Sequence, residues 1–222
     1  MRKLTLIIPA KSESESLPIV LEELNKKKFN FIIVMEKSDI ETINSVKKFR
    51  KNIIFQKNKG YGNALIKGIN SVKTELFCIF NADGSFKSSE IKKMINTLFQ
   101  KNSDFVFGTR YEKNCKSDDD TFITKIGNYF FTKIGNIFYN VKITDILYTF
   151  VLGRTKKIKK LNLKQGDFSF CVELPLKAAK FGMKLSTNQS HERRRIAGQK
   201  KVNAFKDGYT ILKYMIKFFL NE

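Results

Sequence analysis

Along the first half of the chain, short apolar runs alternate with longer segments in which apolar residues recur every three or four positions. The runs at 4–8, 30–35, 52–56, 75–80 and 104–109 are five or six residues long, rich in Ile, Val and Phe, and bounded by polar residues or Gly. Runs of this length and composition are expected to be buried strands. Residues 14–27, 39–51, 62–71 and 88–101 carry the helical spacing, with Ser14, Asp39 and Ser88 placed to cap. The resulting βαβαβαβαβ order predicts an α/β fold: a mostly parallel, Rossmann-like, doubly wound central sheet flanked by helices. Its ligand crevice should lie outside the carboxyl ends of the strands.

The second half is less regular. Residues 121–140 predict a long aromatic helix that contains TKIGN twice, at 124–128 and 132–136, a local duplication rather than a solenoid repeat. Residues 145–154 read as a strand or loop, 170–181 as a helix, 184–189 as a strand and 207–220 as a terminal helix, with a polar loop at 114–120. No linker composition interrupts the chain. The expectation is one domain over 1–222, with 1–113 as the nucleotide-binding half and 114–222 as the acceptor half.

Composition sharpens this picture in three ways. A hydrophobic fraction of 42%, with 21 Phe, supplies a core and excludes a disordered basic tail. The apolar stretch before Lys11 is shorter than the ~7 residues of a signal-peptide core. The stretch at 209–220 is broken by Lys213 and Lys217 and falls short of the ~20 residues of a membrane span. Cys78, Cys115 and Cys171 are odd in number and form no C-x-x-C pair, so neither a disulfide framework nor a zinc site is expected, and a cytoplasmic setting fits. The 42 cationic against 21 acidic side chains give a net charge of +21, which calls for an anionic partner. Nucleic acid is not expected, because only seven cations are Arg and the aromatics sit inside apolar runs such as NYFF and KFFL. In the last helix Lys206, Lys213 and Lys217 share a face. That basic amphipathic pattern suits either a core-packed helix or one lying on an anionic membrane surface, peripheral to the inner face of the cell membrane.

Chemistry should sit just after the strands. The first strand closes on Pro9 and Ala10 and is followed by Glu13. The fourth is followed by Asn81, Asp83 and Ser85, oxygen-bearing side chains at alternate positions. They suit a hard cation, Mg²⁺ or Mn²⁺, and equally suit a turn in which Asp83 satisfies backbone amides. Between the third strand and its helix, Gly60 and Gly62 are flanked by lysines and read as a structural turn or as an approach to phosphate through backbone amides. Four of the seven arginines are Arg110 and Arg193, Arg194 and Arg195. Clustering of a scarce residue suggests a fork for phosphate oxygens, and capping of a helix or surface pairing with Glu192 by residues 193–195 is the alternative. His191 is the sole histidine and is expected to be structural.

In order, LIIPAKSE, NKGYGNAL, FNADGSF, FGTRY, TDILYTF and RRRIAGQKKVN span most of the chain, and together they resemble family 2 glycosyltransferases of the dolichol-phosphate mannosyltransferase-like group. The resemblance implies a GT-A fold and an inverting, metal-assisted transferase of hexosyltransferase type. Such an enzyme moves a sugar from a nucleotide-diphosphate sugar donor to a polyprenyl phosphate (lipid-phosphate) or cell-envelope glycan acceptor. It also implies that Pro9, Ala10, Glu13 and Gly60 line the nucleotide pocket, that Asn81 and Asp83 take the place of the D-x-D metal motif, that Arg110 holds the acceptor phosphate, and that Arg195 and Lys201 grip the donor phosphates. A hydroxyl acceptor would need a base, for which Asp145, Asp167 and Glu173 are candidates. The chain departs from the pattern at Asn81, at Glu36, the one carboxylate where an acidic pair is usual, at Lys200 in place of serine, and at Thr149 in place of glycine. A sugar nucleotidyltransferase would need a Gly- and Lys/Arg-rich loop after the first strand, which residues 9–13 lack. A noncatalytic membrane or nucleic-acid binding module derived from the same fold is the other alternative.

Overall fold

In a computed structural model, residues 4–113 and 115–220 are described; Asn114, at the start of the expected polar loop, and the chain ends lie outside them. Strands β1 (Leu4–Pro9), β2 (Asn30–Met35), β3 (Ile53–Phe55), β4 (Leu76–Ile79) and β5 (Phe105–Thr109) fall on the five apolar runs. They join β7 (Val151–Arg154) and β8 (Leu185–Gln189) in a seven-stranded sheet of order β3-β2-β1-β4-β7-β5-β8. All pairings are parallel except those of β7, which runs antiparallel between β4 and β5. The segment expected to be a strand or loop is thus a central strand contributed by the second half of the chain.

Alternate residues of each strand feed two cores, because helices cover both faces of the sheet. Leu6, Ile8, Cys78 and Val106 pack on one side beneath α1 (Ser16–Lys26) and α4 (Glu90–Gln100). In α1 the inward residues are Leu17, Val20, Leu21 and Leu24, the spacing of a single helical face. Ile7, Phe77, Phe105 and Phe107 pack on the other side, against α3 (Tyr61–Ser71), α7 (Phe170–Lys180) and part of α5 (Phe122–Tyr139) and α8 (Ala204–Leu220).

Two local departures have identifiable causes. The helix expected over 39–51 is divided into α2 (Ile40–Ser45) and a 3-10 segment, Lys47–Asn52. Ser45 Oγ donates to the Thr42 carbonyl and the β-branched Val46 leaves helical geometry, yet Thr42, Val46 and Phe49 stay buried. A short helix, α6 (Thr155–Lys160), and a small parallel ladder of β6 (Lys116–Ser117) with β9 (His191–Glu192) were not expected from the sequence. The ladder places residues 118–120 beside the end of β5, at the crevice.

Candidate active site

A cavity of about 660 Å³ opens at the carboxyl ends of β1, β2, β4 and β5, where the strand order reverses between β1 and β4. The residues expected to bind nucleotide, metal and phosphate line it: Pro9, Ala10, Glu13 and Glu36 from the ends of β1 and β2, Gly60 ahead of α3, Asn81 and Asp83 after β4, Arg110 after β5, and Arg195 and Lys201 from the segment before α8; the candidate bases Asp145, Asp167 and Glu173 do not.

Of the two readings that the sequence left open for the β4 turn, the turn in which Asp83 satisfies a backbone amide is present. Ser85 N–H donates to Asp83 Oδ1 at 3.0 Å, and Asn81 Nδ2 donates to Ser85 Oγ at 3.3 Å. The turn therefore employs one polar atom of each side chain. Asn81 Oδ1 and Asp83 Oδ2 accept no hydrogen bond from the described residues, and both side chains border the cavity. Among the described residues no three His, Cys, Asp or Glu side chains gather as a metal cage. A carboxylate and an amide oxygen nevertheless fit a Mg²⁺-type ion, which takes one or two protein ligands and completes its shell with phosphate and water.

Facing this turn is a basic strap, residues 193–201, held by main-chain bonds. Arg193 N–H donates to the Ser85 carbonyl at 2.9 Å and Ile196 N–H to the Asp83 carbonyl at 2.8 Å. Gly84 has φ +81, the left-handed region that favours glycine, and the Ile196 side chain of the strap packs 2.5 Å from where a Cβ would stand. The arginine cluster divides its tasks. Arg193 donates to the Phe86 carbonyl at 2.7 Å, Arg194 is exposed, and Arg195 enters the cavity. Arg195 Nη2 stands 3.8 Å from Asp83 Oδ2 and 3.1 Å from Asp119 Oδ2. Lys200 Nζ lies 3.4 Å from the same Asp119 oxygen, and Lys201 pairs with Glu13. Burial opposes the charge on Arg195, but Asp119, Asp83 and Glu13 outweigh it and hold the guanidinium firmly protonated.

Arg110 is the most enclosed cation of the site. Its Nε and Nη2 donate to the two oxygens of Asp145 at 2.8 and 2.9 Å, its backbone N–H reaches Asp145 Oδ2 at 3.0 Å, and Nη1 donates to Glu192 at 3.0 Å. The guanidinium also lies 4.5 Å from the Tyr148 ring centre. Desolvation would favour loss of its proton, but the Asp145 and Glu192 charges raise its pKa well above the ordinary value. Asp145 is thus occupied in fixing Arg110. Of the other expected bases, Glu173 is buried in α7 accepting the amides of Lys164 and Gln165, and Asp167 accepts the Ser169 amide; neither lines the cavity.

The glycine pair is explained by packing. Gly60 has φ +122, and a Cβ on it would sit 2.3 Å from the Gly166 carbonyl oxygen; one on Gly62 would sit 2.1 Å from the Gln165 oxygen. Here the loop at 165–167 crosses the start of α3, where Asn63 N–H donates to the Gly166 carbonyl at 3.0 Å. Gly60 still borders the cavity. Thr149 shares a 2.7 Å hydrogen bond with the Tyr61 hydroxyl, and Tyr61 stacks on Phe168 at 5.1 Å; with Leu147, Val202 and Ile211 these rings form an apolar wall.

Sequence reasoning missed Asp119, Asp120 and the inward-facing role of Glu192. The signal was the run Asp118-Asp119-Asp120 in a chain with twice as many cations as anions. Burial of Asp120 opposes its ionisation, yet hydrogen bonds from Thr124 and Tyr111 and the Arg110 charge hold its carboxyl below the usual range.

The sheet is mostly parallel with one antiparallel insertion, its crevice lies at the strand ends, and an acidic turn there faces a basic strap. The model of Glycosyl transferase family 2 matches residues 5–161, and the chain belongs to that family. It is 27% identical over 106 residues to an uncharacterized glycosyltransferase of Mycobacterium tuberculosis, covering 48% of each protein, so it spans about half the length of that curated relative. An uncharacterized protein of Methanocaldococcus jannaschii is 24% identical over 188 residues, 81% of this chain and 77% of its own. Mannosyl-3-phosphoglycerate synthase from Rubrobacter xylanophilus superposes with a TM-score of 0.77 at 12% identity, over 99% of this chain and 74% of its own. Glucosyl-3-phosphoglycerate synthase from M. tuberculosis, in complex with Mn²⁺, UDP and glucosyl-3-phosphoglycerate, gives 0.76 at 8% identity, over 97% and 79%. Likeness at such identities extends to the fold alone. Among the described residues no helix is long and apolar enough to cross a membrane.

Proposed function

We propose that this chain is an inverting transferase that moves a sugar from a nucleotide-diphosphate sugar to an anionic acceptor, with a divalent ion at Asp83 and Asn81. The observation that carries the reading is the approach of Arg195 to Asp83 at 3.8 Å within one cavity, with Lys201 at its rim. Nucleotide binding falls to Pro9, Ala10, Glu13, Glu36 and Gly60, which border the same space. Mg²⁺ or Mn²⁺, when bound, neutralises charge on the departing diphosphate. Arg195 and Lys201 supply the same kind of stabilisation from the opposite wall, and one such preorganised contact is worth roughly 3 kcal/mol of barrier. The solved neighbour that holds Mn²⁺ with UDP supports the same use of a cation.

The acceptor attacks from the second-half side. Arg110, fixed by Asp145 and Glu192, keeps an N–H on each terminal nitrogen beyond those bonds and faces the cavity, where it orients an acceptor phosphate. The apolar wall of Leu147, Phe168, Val202 and Ile211 favours a lipid phosphate, as in the dolichol-phosphate mannosyltransferase-like group, or an envelope glycan precursor carried on lipid. An acceptor phosphate is already ionised and needs no base. The second reading is a phosphoglycerate acceptor, supported by the fold likeness to mannosyl-3-phosphoglycerate synthase and to a glucosyl-3-phosphoglycerate synthase that holds glucosyl-3-phosphoglycerate. A nucleotide-sugar donor and three free cysteines suit the cytoplasmic side of the cell membrane.

The test is calorimetric titration of nucleoside diphosphates with and without Mn²⁺, followed by turnover with a polyprenyl phosphate or phosphoglycerate. Asp83→Ala is expected to remove the Mn²⁺-dependent gain in affinity, at least tenfold, while leaving circular dichroism unchanged. Undiminished Mn²⁺ dependence or turnover in that variant overturns the metal assignment.

A further inference from the structure

Helices α5 and α8 lie side by side at the edge of the cavity and leave unusually apolar outer faces. Phe131, midway along α5, approaches Gly208 near the start of α8, and Phe138 meets Phe219 at 5.7 Å near the C-terminal ends of both, so the two helices run in the same direction. On α5 the exposed stripe is Phe122, Ile126, Tyr129 and Ile137; on α8 it is Phe205, Tyr209, Ile216 and Leu220. Phe122 is 78% exposed and Phe205 81%, values expected of charged side chains rather than of phenylalanine. Phe138 and Phe219 are each about half exposed and in contact, so the stripes join into one patch. A contiguous apolar patch of this kind marks a surface that something covers.

The charges around the patch say what covers it. Within the two helices Lys125, Lys133, Lys206, Lys213 and Lys217 are exposed, whereas the sole carboxylate is Asp207, which accepts the Asn203 backbone N–H at 2.7 Å. Aromatic and aliphatic side chains flanked by ammonium groups on flexible stems match an anionic phospholipid surface, with rings at the acyl boundary and lysines at the headgroups. A second protein chain would need an acidic rim around an apolar centre. Self-association would set lysine against lysine.

We propose that the joint α5–α8 face docks this protein on an anionic membrane surface. The first turns of α5 and the inner side of α8 also line the cavity, through Thr124, Asn128 and Ile211, so docking brings the acceptor wall to the lipid. The inference deepens the lipid-linked reading of the acceptor, yet vesicle binding needs neither donor nor turnover, so either can fail without the other.

The chain contains no Trp, so Phe122→Trp and Phe205→Trp each introduce a single fluorescent reporter at an exposed site. With vesicles of phosphatidylcholine and phosphatidylglycerol the emission is expected to shift to the blue, and with phosphatidylcholine alone it should not. Lys213→Glu with Lys217→Glu is expected to weaken partitioning on the order of thirtyfold or more. Phe205→Ser with Tyr209→Ser is expected to abolish it, while nucleotide binding in solution stays unchanged. No shift with anionic vesicles overturns the proposal. So does binding indifferent to both double variants, or a dimer seen by light scattering that the apolar double variant dissolves without any vesicle binding.

Discussion

Arg110 shows how one buried cation organises a site. Its partners Asp145 and Glu192 come from separate segments of the second half, the loop before β7 and strand β9, and the Asp145 side chain is wholly buried. Removing one member of such a pair leaves an uncompensated charge in a poor solvent. Asp145→Asn is therefore expected to lower unfolding stability by about 3 kcal/mol, read from urea midpoints, and to reduce turnover beyond what the stability loss explains. At this scale the sequence carried much. Asp83 was legible because oxygen-bearing side chains alternate after the fourth strand and Arg195 because the scarce arginines cluster around it, whereas Lys201 was reached only through the resemblance to family 2 glycosyltransferases. Asp119 and Asp120 were not placed, since nothing local indicates that β6 pairs with β9 across 75 residues, the separation of Ser117 from Glu192.

Elements are positioned by close backbone approach. Alanine at Gly62 would gain about 0.5–1 kcal/mol of helix propensity in α3. Its Cβ, however, would lie 2.1 Å from the Gln165 carbonyl oxygen and 2.7 Å from that of Asp167, main-chain atoms that cannot rotate away. Overpacking at about 1–3 kcal/mol wins. Gly62→Ala is expected to destabilise the protein and weaken donor binding, checked by thermal melting and titration. The five first-half strands could be read from apolar runs because a strand covered on both faces must be apolar throughout. The strand or loop at 145–154 could not be resolved, because antiparallel insertion between β4 and β5 is a matter of partners. The division of α2 likewise reflects competition between a serine hydroxyl and the helix ladder.

Across the whole molecule, the cavity is assembled from residues between Pro9 and Ile211, so ligand binding should be felt by the entire fold. A nucleoside diphosphate with Mn²⁺ at about a hundred times its Kd is expected to raise Tm by roughly 5–10 °C, measured by scanning calorimetry, and Asp83→Ala should lose the Mn²⁺-dependent part. Periodicity alone determined the layered α/β architecture and the edge of the sheet that carries chemistry, because burial on both faces and the right-handed crossover leave a parallel sheet few alternatives. Residue identities after the strands, read together with the resemblance to family 2 glycosyltransferases, pointed to the cations and the acidic turn. Only the tertiary structure decided that the basic strap closes on that turn, that Arg110 is clamped rather than free, and that α5 and α8 share one exposed face. Each depends on contacts between segments far apart in sequence, and no local propensity encodes which distant partner will satisfy a given charge or carbonyl.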